Sequence, residues 1–265
     1  MSIGASFGIA LVLGPLINVH FGVSGLFLIT AGLGSLGLLL VATFPKDGEN
    51  LPKEPLGLQD FKSVLLARGI LRTTFGVFAL HYLLMSSFVV FPLLMIGTGE
   101  IELDDHHLYY FTLLLVTFVL MSPLMRMSDK PGRAVPLTLG MIAAFMVANL
   151  ILVFRHDFYA VMLGMWLFFM AFNLLEVILP AIQSRIAPSA QRGASMGIYS
   201  SAQFAGAFFG GAMGGLIVSG WEITYVLSVN ALICAVWFWV SIGLKGEGAD
   251  TPKDSDVDAI QSSQR

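Results

Sequence analysis

One acidic residue, Glu176, lies deep inside an apolar run that extends over residues 158–186. On insertion scales, an aspartate at the centre of a membrane helix costs roughly 2.5–3.5 kcal/mol, so a carboxylate at that depth is a candidate functional group by default. Pro180 follows four residues later and cannot donate a backbone hydrogen bond to the carbonyl of Glu176, which opens the helix beside the charge. Asn173 precedes Glu176 by three residues and lies on the same helical face. These residue types predict a site that binds a proton or another cation.

Polar and aromatic side chains in neighbouring apolar runs are candidates for lining a cavity around this carboxylate. His81 either lines such a cavity or hydrogen-bonds a neighbouring helix, and an imidazole titrates near physiological pH. Tyr82 is next to it in the chain. Tyr199 and Gln203 fall on one helical stripe and offer hydrogen bonds where that stripe reaches a cavity. Phe169 belongs to an aromatic-rich run that suits apolar or amphipathic solutes, although such rings also serve ordinary packing.

The same stripe continues with three glycines at spacings of four residues, Gly206, Gly210 and Gly214. Small residues at this spacing let the backbone of another helix approach closely. We therefore expect these glycines to pack two helices together.

Composition sets the class of protein. The chain has 265 residues, of which 56% are hydrophobic and 12% charged, with a mean hydropathy of +0.82. These values predict an all-α integral membrane protein, because the apolar runs are continuous and do not alternate as barrel strands do. No basic stripe for nucleic acid, no metal-ligand spacing and no phosphate-binding loop are found, so we expect the lipid bilayer as a partner and no nucleic acid, metal or cofactor.

Eight apolar runs are long enough to cross a hydrocarbon core about 30 Å thick. They lie at about 2–19, 23–44, 70–96, 107–126, 134–154, 158–185, 192–218 and 222–243. Lysines and arginines are unequally divided between the segments that connect these runs, since alternate segments hold thirteen and one of the fourteen. The positive-inside rule then predicts that both termini are cytoplasmic.

Two polar segments flank the longest block of spans. Residues 45–69 contain three prolines followed by an amphipathic stretch, and they predict a cytoplasmic linker with a short interfacial helix. Residues 245–265 are polar and acidic, and they predict a disordered cytoplasmic tail.

A weak internal repeat relates the stretches 14–17 and 214–217, each followed by a turn and one further span, as in transporters built from parallel repeats.

Four stretches carry a resemblance to a known family: SFGIALVLGP at 6–15, LLMSSFVVFP at 83–92, LFFMAFNLLEVILP at 167–180 and GASMGIYSSAQFAGAFFGGAMGG at 193–215. They resemble the major facilitator superfamily (MFS), and within it the bacterial YajR-like exporters, which implies a place in the bacterial inner (plasma) membrane and coupling to protons. The resemblance implies twelve helices in two bundles, of which these eight spans are equivalent to helices 5 to 12. Four more helices would then precede Met1. On this partial MFS fold, 1–44 form the last two helices of the first bundle and 70–244 form the complete second bundle.

Two short motifs support the resemblance. The turn MRMSDKPGR ends in Asp129, Gly132 and Arg133 and is similar to the gating loop of the superfamily, whose charged groups would latch the cytoplasmic gate. Gly132 permits a tight turn. Gly14 and Pro15 are similar to part of the family's antiporter motif, and they equally suit helix packing and a kink.

The leading hypothesis is a secondary active transporter that carries out proton-coupled efflux of an unknown small molecule by alternating access. In this hypothesis the proton is the coupling ion, and Glu176 and Asn173 face a central cavity. Burial disfavours the charged form of a carboxyl group, so protonation of Glu176 would be coupled to substrate exchange. One alternative is a non-transporting remnant or a membrane partner subunit. A weaker alternative is an intramembrane enzyme that uses Glu176 and His81 as an acid-base pair.

Overall fold

Helices account for every regular element that the structure describes. The computed structural model describes residues 2–43, 62, 64–101, 105–155 and 157–246, and within these ranges there is no strand. The seven long helices are α1 (Ser2–Thr43), α2 (Arg68–Gly97), α3 (His106–Ser128), α4 (Ala134–Phe154), α5 (Phe158–Ile186), α6 (Arg192–Gly220) and α7 (Ile223–Ile242). Short 3-10 turns at Ser189–Gln191 and Gly243–Gly246 precede α6 and follow α7.

The first helix, α1, contains two of the eight spans expected from the sequence. Its backbone leaves the helical conformation at Gly22, which has φ 63° and ψ −175°. Such a combination is essentially restricted to glycine. The break falls between the runs 2–19 and 23–44, so α1 consists of two helical segments that meet at a kink and correspond to these two runs. Most of the described side chains of α1 are exposed, and α1 contacts the other helices mainly through α3.

The remaining helices begin and end within two residues of the apolar runs in the sequence. The start of α5 shows a local cause, because the Asp157 carboxylate accepts a hydrogen bond of 3.1 Å from the backbone N–H of Ala160. This bond satisfies one of the amide groups that a helix leaves unpaired at its N-terminus. Helices α2, α3 and α5 continue past the interior prolines Pro92, Pro123 and Pro180.

Two helices, α2 and α5, form the centre of the bundle. Helix α2 packs along α6 over most of its length and also contacts α5 and α7, while α4 packs against α5 and α7. Interlocked aromatic rings fill the middle, with ring centroids of Phe91 and Phe145 lying 4.9 Å and 4.5 Å from that of Phe168. Because lipid is as apolar as these side chains, close packing and hydrogen bonds between helices must hold the bundle together.

Seven described helices are long and apolar enough to cross a membrane, the first of them being Ile17–Thr43 of α1. Large apolar side chains cover the outside of the bundle, as expected for a surface in contact with lipid. The expected all-α membrane fold is thereby confirmed. The linker prediction falls mostly outside the described residues, although residues 64–66 are helical, and the tail beyond 246 lies outside them entirely.

Candidate functional site

The side chains of His81 and Gln203, from two other helices, meet the side chain of Glu176 on α5. The Nε2 atom of His81, on α2, lies 3.6 Å from Glu176 Oε2. Gln203, on α6, donates from its Nε2 to Glu176 Oε1 over 3.4 Å, and the same Nε2 lies 2.8 Å from His81 Nε2. The structure therefore brings together a histidine, a carboxylate and an amide that are all candidate site residues in the sequence. We call His81, Glu176 and Gln203 the Glu176 cluster.

Both ring nitrogens of His81 have a hydrogen-bond partner. Its Nδ1 lies 3.1 Å from the carbonyl oxygen of Val77, which can only accept, so Nδ1 carries a proton. Its Nε2 faces the Nε2 of Gln203, which can only donate, so His81 Nε2 offers a lone pair. With the Gln203 amide nitrogen placed towards His81, the arrangement fits a neutral imidazole, and this amide donates to both His81 and Glu176.

One polar atom of the Glu176 cluster and one beside it have no hydrogen-bond partner among the described residues: Oε2 of Glu176 and the hydroxyl of Tyr199. Tyr199 is 4% exposed and lies within electrostatic range of Glu176. A buried polar atom without a partner is costly, and in a native site it calls for an explanation such as a bound proton, water or ligand. Glu176 itself is not sealed off, since 12% of its side chain is exposed.

The other residues expected at the cavity lie around this cluster to different degrees. Tyr82 is buried beside His81, and its ring contacts that of Phe78. Asn173 is buried, and its amide donates to the carbonyl of Phe169 in its own helix. Phe169 is fully buried in the aromatic core, where its ring lies 5.9 Å from Phe91. The structure therefore brings neither Asn173 nor Phe169 into hydrogen-bond or ring contact with the Glu176 cluster.

A second polar cluster, which the sequence reasoning missed, joins the same three helices. Thr73 of α2 donates from its hydroxyl to Oε1 of Gln183 on α5. The Nε2 of Gln183 donates to the hydroxyl and the carbonyl of Ser195 on α6, over 2.8 Å and 3.1 Å. All three residues are fully buried. We call Thr73, Gln183 and Ser195 the Gln183 cluster.

The glycines of α6 lie directly against the backbone of α2. A Cβ atom added to Gly206 would be 2.2 Å from the carbonyl oxygen of Phe78, and one added to Gly210 would be 2.2 Å from that of Tyr82. At Gly214 the nearest atom is the Cα of Ser86, at 3.1 Å. This contact fixes α6 against α2 at the level of the Glu176 cluster. By contrast, a Cβ at Gly14 would meet nothing within 4 Å, and the side chain of Pro15 lies outside the described residues.

The expected gating loop connects α3 to α4 at the surface. Gly132 has φ +73°, the left-handed conformation that a tight turn with glycine adopts. Backbone bonds close the turn, from the N–H of Lys130 to the carbonyl of Met127 and from that of Arg133 to Lys130. Asp129, Gly132 and Arg133 are all exposed.

A bundle of long apolar helices with buried polar side chains between them defines a polytopic helical membrane protein. The sequence profile described as Major Facilitator Superfamily matches residues 107–261. The chain belongs to this superfamily. It is 31% identical over 92% of its length to the "Inner membrane transport protein YajR" of Escherichia coli (strain K12), of which it covers 55%.

Two further relatives come from Buchnera aphidicola. An "Uncharacterized transporter" of the subspecies Baizongia pistaciae is 29% identical over 91% of this chain, which covers 63% of that protein. The "Uncharacterized transporter BU466" of the subspecies Acyrthosiphon pisum is 33% identical over 79% of this chain, and the match covers 55% of that protein. The chain thus spans between half and two thirds of the length of these relatives, and it resembles an MFS transporter of the YajR type.

Proposed function

We propose that the chain acts in secondary active transport, exporting a small molecule by alternating access while protons enter, with Glu176 as the protonation site. The observation that carries this proposal is the position of Glu176, held between His81 and Gln203 with its Oε2 lacking a hydrogen-bond partner in the described part of the chain. A carboxylate in that position is stable only if it is paired, hydrogen-bonded or neutralised by a proton.

Protonation would rearrange the Glu176 cluster. As a carboxylate, Glu176 only accepts hydrogen bonds, and Gln203 donates to it. As a carboxylic acid it gains an O–H donor, and the neighbouring lone pair on His81 Nε2 is an acceptor for that donor. A proton that enters from water and binds Glu176 therefore changes the bonds between α2, α5 and α6. Coupling between protonation and helix movement follows from that change.

The proposal assigns the helices to two bundles. Helices α2 to α7 correspond to the bundle expected at 70–244 and contact one another extensively. Helix α1, within 1–44, contacts mainly α3 and is assigned to the first bundle. Residues 45–69 connect them on the cytoplasmic side of the inner membrane, where both termini also lie. The exposed Asp129 and Arg133 are then available to latch the two bundles.

Infrared difference spectroscopy of the purified full chain tests the protonation site without knowledge of the substrate. Between alkaline and acidic buffer, the wild type should gain a carbonyl band from a protonated carboxylic acid that the Glu176→Gln variant lacks. Thr138→Val is a matched control, because Thr138 is buried and its hydroxyl bonds only within its own helix, to Ala134. Identical spectra for the wild type and Glu176→Gln would overturn the role of Glu176.

A second candidate function is that of a membrane partner subunit. It is favoured by the exposure of α1, whose large apolar side chains include Phe27 at 72% and Leu28 at 73%. A transport cavity between two bundles needs further helices opposite the Glu176 cluster. Purification in native lipid discs distinguishes the two candidates, since a partner subunit should bring a second membrane protein in fixed stoichiometry.

A further inference from the structure

Two arginines flank the turn that connects α5 to α6. Arg185 lies in the last turn of α5, Arg192 is the first residue of α6, and Pro188 lies between them. A helical hydrogen bond to the carbonyl of Ser184 would come from the residue four positions later, but that residue is Pro188, which has no N–H. The Nε of Arg192 supplies a donor to this carbonyl over 3.1 Å. This bond holds the Arg192 side chain over the end of α5.

The guanidinium of Arg185 is held on the same helix in the same way. Its Nε donates to the carbonyl of Ala181 over 3.3 Å. Ala181 and Ser184 are three residues apart, so they occupy neighbouring positions on the surface of α5. Each arginine thus uses its Nε on α5, and the four N–H groups on its two Nη atoms have no acceptor among the described residues. Two planar sets of donors are therefore available at the end of α5.

The positive charge of this turn is not compensated within the described chain. Residues 181–199 contain no Asp or Glu, and neither Arg185 nor Arg192 forms an ion pair with a described carboxylate. Arg192 is exposed and Arg185 is half-buried, so both can reach a ligand at the surface of the bundle. An anion that binds here meets two positive charges and no competing carboxylate.

The start of α2 lies beside the same turn. Val64, which precedes α2, is buried in one apolar cluster with Ala187 and Ile198. Leu66 follows Val64 by two residues and is 68% exposed, and Arg68 is exposed as well. The surface around the turn therefore combines basic groups with an exposed apolar side chain.

We propose that the α5–α6 turn binds an anionic phospholipid, whose phosphate diester is held by Arg185 and Arg192 and whose acyl chains cover the apolar surface at Leu66. The planar guanidinium matches two oxygen atoms of one phosphate. The site is separate from the Glu176 cluster, because Arg185 lies nine residues beyond Glu176, or about 14 Å along the helix axis. Binding of the lipid does not depend on protonation of Glu176.

A lipid fits this surface better than the other sources of a phosphate group. The turn ends a membrane span, so its side chains reach the level of the phospholipid headgroups. Free phosphate would satisfy the two arginines and leave Leu66 in water. A zwitterionic phospholipid adds an ammonium group, which two uncompensated arginines repel. The surface therefore favours a phospholipid with a negative net charge.

Native mass spectrometry of the purified full chain tests the inference, with phosphatidylglycerol and phosphatidylcholine of identical acyl chains as the probes. We expect the wild type to bind one phosphatidylglycerol saturably and more tightly than phosphatidylcholine. Arg185→Gln and Arg192→Gln should each weaken phosphatidylglycerol binding about fivefold, which corresponds to roughly 1 kcal/mol for one basic residue near an anionic headgroup. Phosphatidylcholine binding should be the same in all variants.

Two further variants separate a built site from diffuse charge and from misfolding. Arg126 is exposed at the same end of the bundle and bonds only Ser122 of its own helix, so Arg126→Gln removes the same charge and should bind phosphatidylglycerol as the wild type does. Arg192→Lys keeps the charge and a donor for Ser184 but loses the planar set of donors. It should fold as the wild type does and bind phosphatidylglycerol more weakly.

The outcomes decide both the site and its occupant. Equal binding of the two lipids by the wild type, or an equal loss of phosphatidylglycerol in Arg126→Gln and Arg192→Gln, would overturn the inference. Displacement of the bound lipid by an equal concentration of inorganic phosphate would assign the turn to a free anion and overturn the lipid. A preference for phosphatidylglycerol that is lost in the Arg185 and Arg192 variants, with the infrared band of protonated Glu176 unchanged, would support it.

Discussion

Gln183 lies seven residues after Glu176 on α5, and each of the two is hydrogen-bonded to α6 and placed against a polar side chain of α2. Seven residues are two helical turns, or about 11 Å along the axis. The same three helices are thus joined twice, by the Glu176 cluster and by the Gln183 cluster. Pro180 lies between the two levels on α5 and weakens its backbone there. The Gln183 cluster, in which both the amide oxygen and the amide nitrogen of Gln183 are bonded, therefore joins the three helices about two turns away from the Glu176 cluster.

Replacing Gln183 by leucine should destabilise the bundle. The amide of Gln183 bonds Thr73 and Ser195, and its loss removes the interhelical bonds of two fully buried hydroxyl groups. Loss of a buried polar partner costs about 1–3 kcal/mol. We expect a lower midpoint of thermal unfolding for the purified protein in detergent, with the infrared band of protonated Glu176 retained in the folded fraction.

Asn149 of α4 provides the matched control for Gln183. It is also a fully buried amide, but its Nδ2 donates only to Phe145 in its own helix, and its Oδ1 has no partner among the described residues. Asn149→Leu should therefore leave the unfolding midpoint nearly unchanged. If the two leucine variants unfold at the same temperature, the interhelical bonds of Gln183 contribute nothing to stability.

Much of the fold could be predicted from the sequence, because hydropathy marks membrane helices directly. The spans corresponding to α2–α7 agree with the structure within two residues at each end. The sequence also predicts that His81, Glu176 and Gln203 face other helices, since polar side chains that face lipid are costly. Which of them would touch could not be predicted, because the relative rotation of three helices depends on packing at Gly206 and Gly210.

The Gln183 cluster escaped prediction for a physical reason. Gln183 lies two residues before Arg185, near the end of α5, where a polar side chain equally suits the membrane interface. Threonine and serine are common in membrane helices, so Thr73 and Ser195 do not by themselves indicate a polar cluster. The spacing of seven residues from Glu176 was the available clue. Phe169 illustrates the converse, because an aromatic ring in the sequence does not reveal whether it faces a cavity or, as here, the aromatic core.

Adding one methyl group at Gly210 should separate α6 from α2. A Cβ at this position would lie 2.2 Å from the carbonyl oxygen of Tyr82, and backbone atoms cannot move aside as a side chain does. Overpacking of this kind costs typically about 1–3 kcal/mol. We expect Gly210→Ala to lower the midpoint of thermal unfolding and to shift the infrared band of protonated Glu176, since α2 and α6 carry two members of the Glu176 cluster.

Gly215 of the same helix is the control for Gly210. A Cβ there meets nothing within 4 Å, so alanine adds no clash and favours the helix by up to about 1 kcal/mol. Gly215→Ala should therefore unfold at the same temperature as the wild type or slightly higher. A loss of stability equal to that of Gly210→Ala would show that the contact with Tyr82 does not set the distance between the helices.

The proposed orientation predicts which connecting segments react with a membrane-impermeant thiol reagent. Asp129 lies between α3 and α4, Glu222 lies between α6 and α7, and both are exposed. The native Cys234 is fully buried, so it contributes little background. In intact cells, Glu222→Cys should be labelled and Asp129→Cys should not, whereas in everted membrane vesicles the order should reverse. Labelling of Asp129→Cys from outside intact cells would invert the topology and, with it, the side from which the proton reaches Glu176.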